Sequence, residues 1–154
     1  MRPPSLIPLS HDHHHGLALA LRCRKQALGQ LRPMGALGLE ERAKEVKDFF
    51  SKNLESHFRA EEEVVFPLLR SSASESRPLI EDLVQEHGEI RRLVARLQDA
   101  PGLSKVLFDL GDILERHIRR EERELFPLFE SHVPAIQAEE VKERIEKILL
   151  ARDA

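Results

Sequence analysis

The residues with the clearest chemical potential form a repeat. Displaced by 60 positions, His57-Phe58-Arg59-Ala60-Glu61-Glu62 aligns with His117-Ile118-Arg119-Arg120-Glu121-Glu122, and the match continues from Val65-Phe66-Pro67-Leu68-Leu69 into Leu125-Phe126-Pro127-Leu128-Phe129. In each copy a His precedes a Glu by four residues, which on a helix places the two side chains one turn apart on one face. That face is the apolar one. His57 follows Phe50 by seven residues and Leu54 by three, and Glu61 precedes Val65 by four; His117 stands in the same relation to Leu110 and Leu114, and Glu121 to Leu125. A carboxylate facing a core is costly unless it is paired or coordinates a cation. Two of them, each one turn from an imidazole, point to a metal site.

Other histidines complete the constellation. His87 lies four residues after Leu83 and three before Ile90, again on an apolar stripe. His14 lies three before Leu17 and seven before Leu21, which favours it over the adjacent His13 as the first-helix ligand; His13 is the alternative or an additional one. The candidate metal ligands are therefore His14, His57, Glu61, His87, His117 and Glu121, with His13 beside them. His11, His15 and His132 are expected at the surface or at helix ends. Glu62 and Glu122 lie about 100° around their helices from Glu61 and Glu121. They are expected to be exposed partners of nearby arginines, with pairing to an imidazole N–H as the other reading. Arg22, Arg24, Lys25, Arg91, Arg92, Arg119 and Arg120 are expected on solvated faces. Imidazole and carboxylate suit iron, zinc, copper and manganese alike, so ligand type alone does not name the metal.

Helices must carry these residues. Pro3, Pro4 and Pro8 should keep the start of the chain extended, with Ser10 capping a helix from about His11 that carries Leu17, Leu21 and Leu28 inward and stops before Pro33. A second pattern runs from near Leu39 through Val46, Phe50, Leu54, Val65 and Leu68 to the serine-rich stretch 71–76. A third opens at Pro78 and ends at Ala100-Pro101-Gly102, and a fourth runs from about Leu103 toward Phe129. Pro67 and Pro127 are expected to end or kink their helices. Beyond Pro134, Val141, Ile145, Ile148 and Leu149 form a narrower stripe. Nothing alternates with period two for long enough to suggest a strand. The expected fold is all-α: an antiparallel up-down four-helix bundle within a single domain 1–154, its core spanning about 6–132, with an additional short C-terminal helix at about 135–152.

The chain resembles the hemerythrin-like, or HHE cation-binding, family. The resemblance rests on His11-Asp12-His13-His14-His15, the two His-x-x-x-Glu-Glu…Phe-Pro repeats and Glu86-His87, and covers roughly residues 6 to 132. It implies two iron ions bridged by carboxylates and an oxo or hydroxo group, with Glu61 and Glu121 as the bridges and Phe66 and Phe126 sealing one end of the cavity. Zinc or manganese would suit the same donors. Oxygen-carrying hemerythrins have a second third-helix His, four residues after the first, where this chain has Arg91, so simple reversible oxygen carriage is not expected.

Composition removes other classes. Eight His stand against seven Phe with no Tyr or Trp, so no protein phenol is available as a metal ligand. With 24 basic and 27 acidic residues the formal charge is −3, which supplies no footprint for nucleic acid or an anionic membrane. No apolar run reaches the roughly 18 residues of a membrane span, and the first residues lack the apolar stretch of a signal peptide. A single cysteine, Cys23, excludes an internal disulfide and favours a reducing cytoplasm; it is expected as a small core residue. The expected function is a non-haem diiron protein that binds or senses iron or a small ligand such as oxygen, nitric oxide or peroxide. The alternatives are an enzyme with peroxidase-like, nitric-oxide-reducing or iron-centre-repair chemistry, and a metal-stabilised interaction module whose C-terminal stripe pairs with a partner or with a second copy as a homodimer.

Overall fold

The three- and four-residue apolar steps become helices in the computed structural model, which describes residues 4–98 and 101–153. After one 3-10 turn at Pro4–Leu6, α1 runs Ile7–Ala27. The second rod, α2, spans 35–72, α3 is Arg77–Ala95, α4 spans 103–132 and α5 is Ala135–Leu150. Among the described residues there is no strand. The first four rods form the bundle and α5 closes one end of it.

One expectation about proline is corrected and another is narrowed. Pro8 lies in the first turn of α1, where its missing N–H would have had no intrahelical partner, so the chain is already helical before Ser10. Ser10 is not a cap; its hydroxyl donates to Glu122 Oε2 at 2.8 Å. Pro3 and Ala100 lie outside the described residues. Pro67 and Pro127 do not end their rods, which continue to Ser72 and His132. Directly before each Phe-Pro pair the helix widens into a π turn, Glu61–Val65 in α2 and Glu121–Leu125 in α4. A mid-helix proline removes a donor and meets the carbonyl four residues back; a wider turn accommodates both.

The inward face of α1 also differs from expectation. Leu21 and Leu28 are 45% and 59% exposed, while Leu9, Asp12, His13, Gly16, Leu19, Ala20 and Cys23 are buried. Small residues win this face because α1 and α4 approach closely. A Cβ on Gly111 would stand 2.6 Å from the Ala20 carbonyl oxygen, and one on Gly16 would stand 2.8 Å from Ile118 Cδ1. Burial pushes the Cys23 thiol up to about 12, the behaviour of a core residue.

Two apolar clusters fill the interior. One gathers Leu19, Leu54, Phe58, Ile90, Leu107 and Ile118; the other gathers Leu9, Val64, Phe66, Leu83, Phe126 and Ile145. The polar candidates sit between them. Val141, Ile145 and Leu149 of α5 are buried in the second cluster, so the stripe that the interaction-module alternative gives to a partner or a second copy packs on the chain's own bundle.

Candidate metal centre

Each of the four bundle helices delivers one buried imidazole to this middle layer. His13 of α1, His57 of α2, His87 of α3 and His117 of α4 are 0–3% exposed, and Glu61 and Glu121 are fully buried. The expectation for α1 is corrected. His14 is exposed and stands outside the cluster, and His13 takes the inward place. The choice of His14 followed the leucine stripe, which is not the buried face; His13 instead lies four residues after Leu9 and three before Gly16, both buried.

The donors form two groups that share their carboxylates. His13, His57, Glu61 and Glu121 offer atoms within 4.8 Å of one another, as do His87, His117, Glu61 and Glu121. Glu61 turns Oε2 to His57 Nε2 at 3.3 Å and Oε1 to His87 Nε2 at 3.0 Å. Glu121 turns Oε1 to His13 Nε2 at 2.8 Å and to His57 Nε2 at 3.9 Å, and Oε2 to His117 Nε2 at 3.5 Å. Each carboxylate thus gives one oxygen to each group.

The outward ring nitrogens are all engaged by acids. His13 Nδ1 pairs with Glu122 Oε2 at 2.7 Å, His57 Nδ1 with Asp12 Oδ2 at 3.1 Å, His87 Nδ1 with Glu62 Oε2 at 2.7 Å and His117 Nδ1 with Glu86 Oε1 at 2.8 Å. An ionised carboxylate only accepts, so each Nδ1–H donates, and a neutral ring then turns its Nε2 lone pair inward. In the absence of a cation, the 2.8 Å contact of His13 Nε2 with Glu121 Oε1 holds a second proton on that ring. The network has an internal two-fold logic. The acid before each odd-helix histidine, Asp12 or Glu86, serves the ring of the following even helix; the acid after each inward glutamate, Glu62 or Glu122, serves the ring of an odd helix. Glu62 and Glu122 are therefore imidazole partners rather than surface acids, although Glu62 also takes Arg91 at 3.0 and 3.2 Å. Sequence reasoning missed Asp12 and Glu86; the acid–His dipeptide common to α1 and α3 was the signal that could have found them.

Protonation shows what the layer lacks. Burial disfavours a charged ring at His57, but the Glu61 charge and the Asp12 bond outweigh it and hold its pKa well above the usual imidazole range. Burial is likewise overcome at His13 by Glu121 and Glu122, and at His87 by Glu61 and Glu62. Glu121 is held well below the carboxylate range, its desolvation outweighed chiefly by the charge of His117. The layer draws positive charge. Both oxygens of Glu61, Oε2 of Glu121 and Nε2 of His87 and His117 are buried without a hydrogen-bond partner. Such orphaned atoms, all belonging to the two donor groups, fit cations better than any protein donor. Phe126 stacks on His13 with ring centroids 5.4 Å apart, and Phe58 on His87 at 3.8 Å, keeping water from the rings.

The model of the hemerythrin HHE cation-binding domain matches residues 5–129, which carry every residue of this layer. The chain belongs to the hemerythrin HHE cation-binding domain family. A DNA nickase of Nostoc sp. (strain PCC 7120) is similar to this HHE domain, at 30% identity over 102 residues, 62% of this chain. The aligned part is 28% of the nickase, so the chain spans well under half of that relative. No solved structure matches the chain. No described helix is long and apolar enough to cross a membrane.

Proposed function

We propose that this HHE domain holds a pair of iron ions and binds or senses a small ligand there, with oxygen, nitric oxide and peroxide as the candidates. The observation that carries the reading is the sharing of Glu61 and Glu121 between two four-residue donor groups. His13 and His57 would hold one ion, His87 and His117 the other, and the two glutamates both. Charge supports cations. Around the layer stand six carboxylates, and two of them, Asp12 and Glu62, have a guanidinium at hydrogen-bond distance, Arg152 and Arg91. The two inward carboxylates, Glu61 and Glu121, carry the negative charge that faces the donors, and no guanidinium is within hydrogen-bond distance of either among the described residues. When bound, iron supplies an open coordination position and one-electron chemistry; zinc or manganese would suit the donors but not that redox role.

Enclosure supports a small ligand. The ligand side chains are 0–3% exposed, and surface hollows of about 520 and 550 Å³ are lined by residues such as Leu39 and Lys44, or Arg92 and Asp112, with none of the site residues. Anaerobic loading of protein purified without affinity resin is expected to give two ferrous ions per chain, followed by new near-ultraviolet absorption on admitting oxygen. A stoichiometry near zero, or zinc retained in preference to iron, overturns the reading.

The relative's name favours a second reading, in which a loaded centre nicks DNA. The formal charge of −3 gives the chain as a whole no net attraction for a phosphate backbone. Conversion of supercoiled plasmid to the open circle by the iron- or manganese-loaded chain, abolished by Glu61→Gln, would establish it.

A further inference from the structure

The C-terminal segment lies beyond the residues matched by the family, yet it reaches the site. In the 3-10 turn Ala151–Asp153 after α5, Arg152 turns its guanidinium into the bundle. Its Nη1 donates to Asp12 Oδ2 at 3.1 Å and Nη2 donates to Oδ1 at 3.2 Å. Nη1 is also 3.1 Å from the Asn53 carbonyl oxygen and from Ser56 Oγ of α2. Asp12 is 3% exposed, and its Oδ2 is the acceptor for His57 Nδ1. A relay of three side chains thus runs from the end of α5 to a ring whose Nε2 faces Glu61.

The four acid–imidazole pairs are not alike. Glu122 is joined by the Ser10 hydroxyl, Glu86 has Arg120 only at 3.9 Å, and Glu62 is paired with Arg91 from within the bundle itself. At Asp12 the guanidinium comes from outside the four-helix core, from the segment after α5. We propose that Arg152 is a positioning residue: by clamping both oxygens of Asp12 it fixes the His57 ring, and so makes one of the two cation positions conditional on docking of the C-terminal segment. The proposal rests on the two-cation reading above. An arginine fork meets both oxygens of the buried Asp12 at once, which a single imidazole N–H does not, and so fixes the plane of the carboxylate that receives His57 Nδ1–H. Without it the carboxylate turns to water and the His57 ring loses the acceptor that fixes its tautomer. Loss of such an outer partner costs about 10- to 100-fold in metal affinity. The loss belongs to the His13 and His57 group and not to the His87 and His117 group. Coupling is reciprocal, so a bound cation strengthens docking of the segment, giving the centre a route by which occupancy reaches the surface.

The test titrates the full chain anaerobically with ferrous iron against a chromophoric chelator, comparing the natural chain with Arg152→Ala, Arg152→Lys, Asp12→Ala and the Arg152→Ala/Asp12→Ala pair, with helix content and thermal midpoint read on the same samples. Arg152→Ala is expected to weaken one binding event about tenfold and leave the other unchanged. Arg152→Lys restores part of the loss, and in the Asp12→Ala background Arg152→Ala costs nothing further. Amide exchange over residues 141–153 slows on ferrous loading of the natural chain and not of Arg152→Ala. No change, equal loss at both events, or additivity in the double variant overturns the proposal. If the natural chain takes up one ferrous ion, the two-ion reading fails and the Arg152 comparison is read on that single event; uptake of none overturns both. Should Asp12→Ala fail to fold, Arg152→Lys and the exchange measurement decide.

Discussion

Each imidazole of the centre uses its two ends differently. The Nδ1–H is spent on a carboxylate, which fixes ring orientation, and this leaves Nε2 as a donor aimed at the middle of the layer. His13 and its neighbour His14 separate these roles cleanly, since one is buried with both nitrogens engaged and the other is exposed. His13→Ala is expected to lower ferrous affinity at least about tenfold, while His14→Ala leaves uptake and thermal midpoint unchanged; anaerobic chelator competition on both variants checks this. The reverse pattern would return the α1 role to His14. Glu61→Gln should be harsher than either single histidine variant, because it removes a charge from both donor groups at once; two weakened binding events, rather than one, are expected in the same titration.

At the scale of elements, the site depends on how closely α1 and α4 approach. Gly111 faces backbone, with the Ala20 carbonyl oxygen only 2.6 Å from where a Cβ would lie and Arg24 Cγ at 2.8 Å. Backbone cannot swing aside as a side-chain tip can. Gly111→Val is therefore expected to cost about 1–3 kcal/mol through overpacking. In a chain of this size that lowers the thermal midpoint by roughly 2–4 °C per kcal/mol; a calorimetric scan that shows no shift would contradict the close crossing. The π turns at Glu61–Val65 and Glu121–Leu125 belong to the same scale. They let Phe66-Pro67 and Phe126-Pro127 continue each rod below the ligands, so that Phe66 and Phe126 lie buried in the apolar cluster next to the site.

At the scale of the molecule, α5 serves as part of the core. Val141, Ile145 and Leu149 are at most 7% exposed, and each buried aliphatic side chain contributes roughly 1.5–3 kcal/mol. Together these are comparable with the 5–15 kcal/mol by which domains are stable. Removing residues 135–154 should therefore lower the thermal midpoint steeply and expose an apolar patch around Leu6, Leu9 and Val64 that binds a hydrophobic fluorescent dye. A shortened chain that melts like the full one would show that α5 is an appendage.

The amino-acid sequence determined the helical class, the four-helix count, the extra C-terminal helix and the inward placement of His57, Glu61, His87, His117 and Glu121, because periodicity is a local property and each of these residues sits on a stripe of large aliphatics. It failed on α1 for the same reason: the inner face there is built from Gly16, Ala20 and Cys23, small residues that carry little periodic signal and are selected by a neighbouring helix. Tertiary structure alone decided that His13 and not His14 faces inward, that Asp12, Glu62, Glu86 and Glu122 hold the rings, and that Arg152 reaches Asp12 across 140 positions of chain. Those are contacts between helices, and no spacing along one helix encodes which side chain of another will meet it.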